Sequence, residues 1–338
     1  MKKIRWGIIS TANIALTQVI PAILRADNAE LSAIASRGAK VHAVAERFGI
    51  PKAYESYDAL LNDPDIDAVY IPLPNHLHKQ WVFEAAKHGK HVLCEKPAAL
   101  TAEEAEEMVE MCQMQNLKFM EAFMYQLHPQ HARVKEIITS GEIGEVKLIK
   151  SSHSFLLANR ESDIRMDLAM GGGSLYDVGC YSIHIARYLT EAEPVRVQAI
   201  GQLDPKTGVD MSAFGHLTFE NGVQAVFDCS FDTAHRQEYE VVGTLGTIRV
   251  PFAFRPDTND DAGVIMIRTN DQLREEHVEE DSYRLEIEQF SESILTGGEP
   301  PISGQSTVLN MRVIEACLES IGKAGQQIMM NEYKSASS

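Results

Sequence analysis

The sequence lacks the basic excess and the long apolar run that nucleic-acid-binding and membrane proteins carry. Its 338 residues include 48 acids against 31 lysines and arginines, which gives a net charge of −17. Nucleic acids and anionic membranes attract basic patches, and a membrane-spanning helix needs roughly 20 consecutive apolar residues. We therefore expect neither nucleic acid nor a membrane among the partners.

Cysteine is scarce as well. The five cysteines are scattered and odd in number, which argues against a disulfide framework and against a zinc-type spacing. The first residues lead straight into a strand, without the apolar core of a signal peptide. We expect reduced thiols, no metal centre and a cytoplasmic protein. The cysteines are Cys94, Cys112, Cys180, Cys229 and Cys317.

The order of the apolar segments predicts two domains, as the chain length also favours. Over residues 1–122, short apolar strands alternate with helices, which is typical of a parallel, doubly wound α/β sheet and a dinucleotide-binding Rossmann domain. Over residues 123–338, strand-like runs dominate and Asn221-Gly222 marks a hairpin turn. We expect an α+β domain there, built on one large, mostly antiparallel, open-faced sheet. Residues 334–338 are expected to be disordered.

The turn after the first strand lacks the G-x-G-x-x-G pattern of a pyrophosphate-binding loop. Ser10, Ala12 and Ala15 stand at its three glycine positions. Hydroxyl groups and a helix N-terminus still offer donors to phosphate oxygens. The alternative interpretation is a plain strand–turn–helix that binds no nucleotide. The candidate cofactor contacts in this turn are Ser10, Thr11, Ala12, Asn13 and Ile14.

No acid follows the second strand, where an NAD site usually places one for the ribose 2′-hydroxyl. The chain has Ser36 and Arg37 there, with Lys40 nearby. A guanidinium can bind a phosphate through two parallel hydrogen bonds, and NADP carries an extra 2′-phosphate. We therefore expect NADP and consider NAD less suitable. An exposed loop arginine with no ligand is the alternative.

The strand His91–Cys94 ends in Glu95, Lys96 and Pro97. Ligands of open α/β sheets bind at the carboxyl ends of the strands, so this order places an ammonium at a ligand site. Ordinary solvated strand-end charges are the alternative.

In the second half, Gly171-Gly172-Gly173 precedes a helix that carries Asp177, Tyr181 and His184. Offsets of four and three residues put these side chains on one helix face, and glycines permit close approach of a ligand to the backbone. A helix-end charge, a half-buried aromatic and a core histidine are the structural alternative.

Four motifs together resemble the glucose–fructose oxidoreductase / inositol dehydrogenase (Gfo/Idh/MocA) family. The resemblance extends over nearly the whole chain and is closest to the branch of dimeric dihydrodiol dehydrogenase and NADP-dependent D-xylose dehydrogenase. The motifs are Ile71–His78, Gly89–Pro97, Glu121–Tyr125 and Gly171–Tyr181.

The resemblance implies roles for individual residues. Lys96 would be catalytic beside the nicotinamide, Glu95 would contact the cofactor ribose, and the Lys96–Pro97 bond would be cis. The resemblance also implies a homodimer or homotetramer formed through the C-terminal sheet. Further implied cofactor contacts are Pro72, Asn75 and His78, and the implied substrate contacts are Lys96, Tyr125, Asp177, Tyr181 and His184.

The chemistry implied is hydride transfer between nicotinamide and a sugar, polyol or related cyclic diol. Such a step needs a group that takes and returns the hydroxyl proton, and a phenol with an ordinary pKa of ~10 serves only when a cation stabilises its anion. We assign that role to Tyr181 beside Lys96, with Asp177 orienting the lysine; Lys96 itself and His184 are the rivals. Gln126 departs from the arginine of the xylose-type pattern, which leaves the sugar open. A non-catalytic NADP-binding sensor on the same fold is the alternative function.

Overall fold

The computed structural model describes residues 2–270 and 272–333. The predicted disorder of residues 334–338 lies outside the described residues. By their internal contacts the residues fall into two compact units. The first unit contains the residues up to Met124 together with Tyr283–Val308, and the second contains Tyr125–Ser282 and the residues from Leu309 on.

The secondary structure of the described residues alternates strands and helices first and is dominated by strands later. The strands are β1 Ile4–Ile9, β2 Ala29–Ala35, β3 Lys52–Tyr54, β4 Ala68–Ile71, β5 His91–Glu95, β6 Phe119–Ala122, β7 Val146–Leu156, β8 Pro194–Leu203, β9 Asp210–Phe219, β10 Gln224–Ser230, β11 Asp232–Gly243, β12 Gly246–Val250, β13 Ala262–Thr269, β14 Leu273–Glu279 and β15 Ile328–Met329. The helices are α1 Ile20–Arg25, α2 Lys40–Phe48, α3 Tyr57–Leu61, α4 His78–Lys87, α5 Ala102–Met114, α6 Pro129–Thr139, α7 Cys180–Thr190, α8 Ser282–Thr296, α9 Gly304–Gly322 and α10 Met330–Tyr333.

The sheet of the first unit confirms the predicted Rossmann fold. Its strands run parallel in the order β3-β2-β1-β4-β5-β6. The chain order reverses between β1 and β4, which makes that pair the switch point where such sheets bind ligands. The sequence did not predict β3, because its three residues are only half-buried and form no apolar run.

Local sequence signals begin or end two helices of the first unit. The side chain of Thr101 accepts the N–H of Glu104 at 3.1 Å and caps α5. Gly49 ends α2 with a φ of 67°, a conformation that glycine adopts without steric cost.

Helix α8 contributes to the core of the first unit. The indole of the fully buried Trp6 packs against Phe290 and donates a hydrogen bond to Ser291 at 3.1 Å. The backbone carbonyl of Glu288 also accepts a bond from Asn28 at 2.9 Å. The predicted boundary between residues 122 and 123 stays a prediction, and α8 groups with the first unit although it follows in sequence the strands of the second.

The large sheet of the second unit confirms the predicted α+β architecture. In the described residues its strand order is β14-β13-β12-β11-β7-β10-β9-β8-β15, antiparallel except for the parallel pair β10 and β7. The predicted Asn221-Gly222 turn joins β9 and β10, with φ of 85° at Gly222. Helix α7 packs against β7 and β10 on one face of the sheet.

Candidate active site

The turn between β1 and the first helix has the shape of a nucleotide loop although it lacks glycine. Ser10 has a φ of 115°, which L-residues rarely adopt, and its N–H donates to the carbonyl of Ala35 at 2.9 Å. Ala12 follows in the turn, and Asn13 and Ile14 begin a helical segment that continues through the π-helical turn Ala15–Val19 into α1. Ser10 therefore takes the conformation that the first glycine provides in a Rossmann loop.

The carboxyl end of β2 combines two hydroxyls with two cations. The hydroxyls of Thr11 and the buried Ser36 lie 3.4 Å apart. Arg37 and Lys40 are exposed, and neither side chain forms a hydrogen bond or ion pair with another residue in the part of the chain that the structure describes. A donor set with two uncommitted cations fits a phosphate dianion, which is the group that distinguishes NADP from NAD.

The carboxyl end of β5 presents an oriented carboxylate next to Lys96. Glu95 accepts a short hydrogen bond from the hydroxyl of Tyr70 and a second one from the backbone N–H of Lys96 at 3.2 Å. The Lys96–Pro97 peptide bond is cis, as the resemblance implied. Burial, and then the charge of Glu95, raise the pKa of Tyr70 well above its ordinary value, so the phenol stays a donor to Glu95.

A second carboxyl group of the first unit lies near Glu95. Glu286 of α8 is buried, and burial followed by the charge of Glu95 raises its pKa well above the ordinary value. The neutral form of Glu286 is therefore favoured, since burial and the charge of Glu95 both oppose a second negative charge there.

His78 ties two loops of the first unit together. It is fully buried, with Nε2 2.7 Å from the carbonyl of Leu73 and Nδ1 3.1 Å from that of Pro97. Burial lowers the pKa of His78 to about 4, so the ring is neutral. A neutral ring carries a single N–H and donates a hydrogen bond to only one of these carbonyls. The buried ring helps to order the two loops, and a direct bond from His78 to a cofactor stays a prediction.

The other two residues expected near His78 lie on the same loop after β4. Pro72 is buried directly after the strand, and Asn75 is half-buried at the start of the 3₁₀ turn Asn75–Leu77. Their cofactor contacts stay predictions.

In the second unit, two glycines of the triplet lie against other residues of the protein, whereas the sequence led us to expect that they lie against a ligand. A Cβ on Gly172 would lie 2.5 Å from the carbonyl oxygen of Arg165, and one on Gly173 would lie 2.1 Å from Oδ1 of Asp210. Gly173 also has a φ of 117°. The glycines are needed because the backbone of residue 165 and the carboxylate of Asp210 occupy the space of a side chain.

Asp210 holds the start of the helix that carries Asp177 and Tyr181. This buried carboxylate accepts bonds from the hydroxyl of Ser174 and from the N–H of Leu175, both at 2.7 Å. Burial raises the pKa of Asp210 to about 6, against the opposing effect of these donors. The helix continues through a π-helical turn, Leu175–Gly179, into α7.

Asp177 pairs with an arginine that the sequence analysis did not single out. Nε of Arg165 lies 2.6 Å from Oδ2 of Asp177, and Asp163 lies 3.4 Å from the same guanidinium. The charge of Asp177 raises the pKa of Arg165 above its ordinary value. The predicted partner of Asp177 was Lys96, and that pairing stays a prediction.

Tyr181 lies in an aromatic cluster of the second unit that consists of Tyr125, Tyr181, His153, His184 and Phe254. The ring centroid of Tyr181 is 5.4 Å from that of Tyr125 and 5.0 Å from that of His153. Its side chain is 5% exposed, whereas Tyr125 is fully buried. The structure therefore brings Tyr125, Tyr181 and His184 together, with Tyr181 the most accessible of the three.

His184 is the innermost of the predicted acid–base candidates. Its Nδ1 lies 2.6 Å from the hydroxyl of Tyr125. Burial, and then the charge of Arg187, hold the pKa of His184 well below its ordinary value. A neutral ring bonded to Tyr125 suits a role in orienting the cluster better than that of a proton donor to a substrate.

Sequence reasoning missed three residues that shape the candidate site, namely Tyr70, Arg165 and Asp210. In the sequence, Tyr70 looks like one more apolar residue of a strand, Arg165 like a charged loop residue and Asp210 like the first residue of a strand. Each acts on a partner distant in sequence, and no local spacing marks such a pair.

The described residues contain no group of three or more His, Cys, Asp or Glu side chains that could hold a metal ion. Within the same residues, every helix is too short or too polar to cross a membrane.

Both halves of the chain match one protein family. Residues 4–123 match the oxidoreductase family with an NAD-binding Rossmann fold, and residues 131–249 match the GFO/IDH/MocA C-terminal domain.

Three characterised proteins illustrate the similarity. The chain is 42% identical over 316 residues to a D-xylose 1-dehydrogenase (NADP(+)) of Haloferax volcanii, covering 93% of this chain and 96% of that protein. It is similar to a solved 3-ketoreductase from Actinomadura kijaniata in complex with NADP and TDP-benzene, at 31% identity and a TM-score of 0.89 over 94% and 98% of the two chains. It is also similar to an aldose–aldose oxidoreductase from Caulobacter crescentus complexed with glycerol, at 27% identity and a TM-score of 0.90 over 97% and 100% of the chains.

Proposed function

The chain belongs to the GFO/IDH/MocA family of oxidoreductases, and from that premise we propose that it transfers hydride between NADP and a sugar, polyol or related cyclic diol. The observation that carries the proposal is the position of Lys96 at the carboxyl end of β5, next to the strand β4 that borders the switch point of a Rossmann sheet. An ammonium there lies on the ligand-binding edge of the sheet.

The proposed cofactor is NADP. Arg37 and Lys40 would hold the 2′-phosphate together with the hydroxyls of Ser36 and Thr11, and the turn at Ser10 would hold the pyrophosphate. The names of the xylose dehydrogenase and of the 3-ketoreductase complex, both of which include NADP, support this choice.

For the chemistry, bound nicotinamide supplies or accepts the hydride, and side chains of the chain move the proton. We assign Lys96 and Tyr181 to one proton-transfer unit, in which the ammonium stabilises the phenolate while the phenol exchanges its proton with the substrate oxygen. Asp177 would orient the reacting groups, and Glu95, already oriented by Tyr70, would contact the ribose. Lys96 itself is the rival for the proton-transfer role.

The proposed substrate is a free sugar or polyol. The names of the xylose dehydrogenase and of the aldose–aldose oxidoreductase support this class, whereas the complex with TDP-benzene supports a nucleotide-linked sugar as the second candidate.

A substrate panel assayed by the absorbance of NADPH, with NADP and NAD side by side, tests the proposal. It should include pentoses, hexoses, inositols, a cyclic diol and a nucleotide-linked sugar. We expect turnover with at least one free sugar or polyol and a preference for NADP. Tight NADPH binding without turnover on any of these compounds would instead support the sensor function.

The proposal extends to a homodimer or homotetramer formed through the open face of the large sheet. Three apolar side chains on neighbouring strands of that face are exposed, Ile200 by 56%, Phe214 by 45% and Val226 by 39%. They line a surface depression of about 540 Å³. An apolar patch of this kind is commonly covered by another subunit.

Light scattering of the eluting protein measures the oligomer mass. The wild type should elute as a dimer or tetramer and Phe214→Glu as a smaller species. A monomeric wild type would refute the proposed oligomer. A cytoplasmic location also belongs to the proposal, supported by the five described cysteines, which are all buried and form no disulfide with one another.

A further inference from the structure

We infer that Arg165 is a positioning residue, which fixes the carboxylate of Asp177 for the reaction. This inference rests on the proposed function, because it assigns Arg165 a role through Asp177.

The contact between the two side chains is direct and geometrically specific. Nε of Arg165 lies 2.6 Å from Oδ2 of Asp177, and the Asp177 side chain is only 18% exposed. A guanidinium is planar and always charged, so a bond from Nε restricts the rotation of the carboxylate and favours its charged form.

The backbone of Arg165 is held from both sides, so the guanidinium starts from a defined position. The carboxylate of Asp163 accepts the N–H of Arg165 at 2.9 Å, and the carbonyl of Arg165 accepts the N–H of Gly173 at 2.9 Å. The missing side chain of Gly172 allows that carbonyl to come close, as described above. One residue thus contacts both the turn before the helix and the acid within it.

Two further contacts fix the direction of the Arg165 side chain. The guanidinium lies 5.8 Å from the ring centroid of Phe155, and Asp163 lies 3.4 Å from its NH1. The charged groups that act on this guanidinium are therefore Asp177 and Asp163.

A positioning role is distinguishable from a merely structural one. The Arg165 side chain is 38% exposed, and ion pairs of partly exposed side chains contribute little to folding. Removal of the guanidinium should therefore change the reaction more than the stability. The expected signature is a fall in kcat together with a shift of the acidic limb of the pH profile, because Asp177 would lose a neighbouring cation that favours its charged form.

The test compares Arg165→Met and Arg165→Lys with a matched control, Arg160→Met. Arg160 belongs to the same segment and pairs with Asp232, with no bond to Asp177. Arg165→Met should lower kcat by about 10²-fold, as expected for a displaced reacting group, and raise the pKa of the acidic limb by about 1–3 units. Arg165→Lys should recover part of the loss, and Arg160→Met should behave like the wild type.

Two more variants separate this inference from the proposed function. The double variant Arg165→Met/Asp177→Asn should be no worse than Asp177→Asn alone, since residues that act as one unit are not additive. Full turnover of Asp177→Asn would refute the catalytic assignment of Asp177 itself. If Asp177→Asn loses turnover while Arg165→Met keeps the wild-type kcat and pH profile, only the role of Arg165 is refuted.

Circular dichroism and the thermal midpoint check that each variant folds. If Arg165→Met does not fold, the pH profile of Arg165→Lys decides. An acidic limb displaced from that of the wild type supports the inference, and an unchanged limb with wild-type kcat overturns it.

Discussion

The hydroxyl of Tyr125 lies 2.6 Å from Nδ1 of His184, and both side chains are buried in the second unit. Burial raises the pKa of Tyr125 well above its ordinary value and holds that of His184 well below its own. Both groups are therefore neutral at pH 7 and share one proton in this bond. The bond joins Tyr125, the last residue of the Glu121–Tyr125 motif, to the helix α7 that also carries Tyr181. The ring of Tyr125 contacts the rings of both Tyr181 and His184.

We expect Tyr125→Phe to destabilise the protein by about 1–3 kcal/mol, because it removes a bond from a buried ring. Urea unfolding followed by circular dichroism measures the change. Tyr188→Phe is the control. Tyr188 lies on α7, the helix that carries His184, is half-buried, and its hydroxyl forms no hydrogen bond with another described residue. Equal stability of the two variants would contradict the importance of the Tyr125–His184 bond.

Arg37→Ala should raise the Michaelis constant for NADP by about 10–150-fold, since a hydrogen bond to a charged group contributes ~1.5–3 kcal/mol. The constant for NAD should barely change, because NAD lacks the 2′-phosphate. Arg47→Ala, an exposed arginine on helix α2, is the control and should leave both constants as in the wild type. Equal losses with NADP and NAD, or a wild type that uses both equally well, would show that Arg37 does not select the cofactor.

Lys96→Met and Tyr181→Phe should each lower turnover by about 10²–10⁴-fold, the range of a positioned acid–base group. NADPH binding, measured by fluorescence, should remain close to that of the wild type. The double variant should be little worse than the worse single variant, because the two residues are assigned to one proton transfer.

His184→Asn serves as the comparison for that pair and should act mainly on substrate affinity. Near-normal turnover of Tyr181→Phe, or complete loss in His184→Asn alone, would move the proton-transfer role to another residue.

The pH dependence of stability should report on Asp210. Its pKa is raised from the ordinary 3.8 to about 6, so between these values the folded state keeps a proton that the unfolded state has released. Stability is therefore lost as pH rises through this window, by at most about 1.4 kcal/mol per pH unit, and the loss ends above about pH 6.

Asp210→Asn should remove this slope, because the amide does not titrate. Unfolding midpoints of the wild type and the variant at pH 4, 5, 6 and 7 provide the comparison. Identical slopes in the two proteins would show that Asp210 keeps an ordinary pKa.

The strand and helix pattern of the first unit was predictable because its signals are local. Alternating apolar runs set β1, β2, β4, β5 and β6, and the rule of right-handed crossovers makes such strands parallel. The strand β14 was not predictable, since all seven of its residues are exposed or half-buried and no apolar alternation marks it. The positions of Ser36, Arg37 and Lys96 at strand ends follow from the same local reading.

Only the tertiary structure decided which side chains meet. Asp177 pairs with Arg165, Leu175 is held by Asp210 and Glu95 by Tyr70, at separations of 12, 35 and 25 residues. Trp6 reaches Ser291 across 285 residues, which is how α8 joins the first unit. Periodicity and turn residues act over a few positions along the chain, so the sequence by itself determined most of the elements and the chemistry at their ends. The long-range partners are chosen by the packing of whole elements against each other.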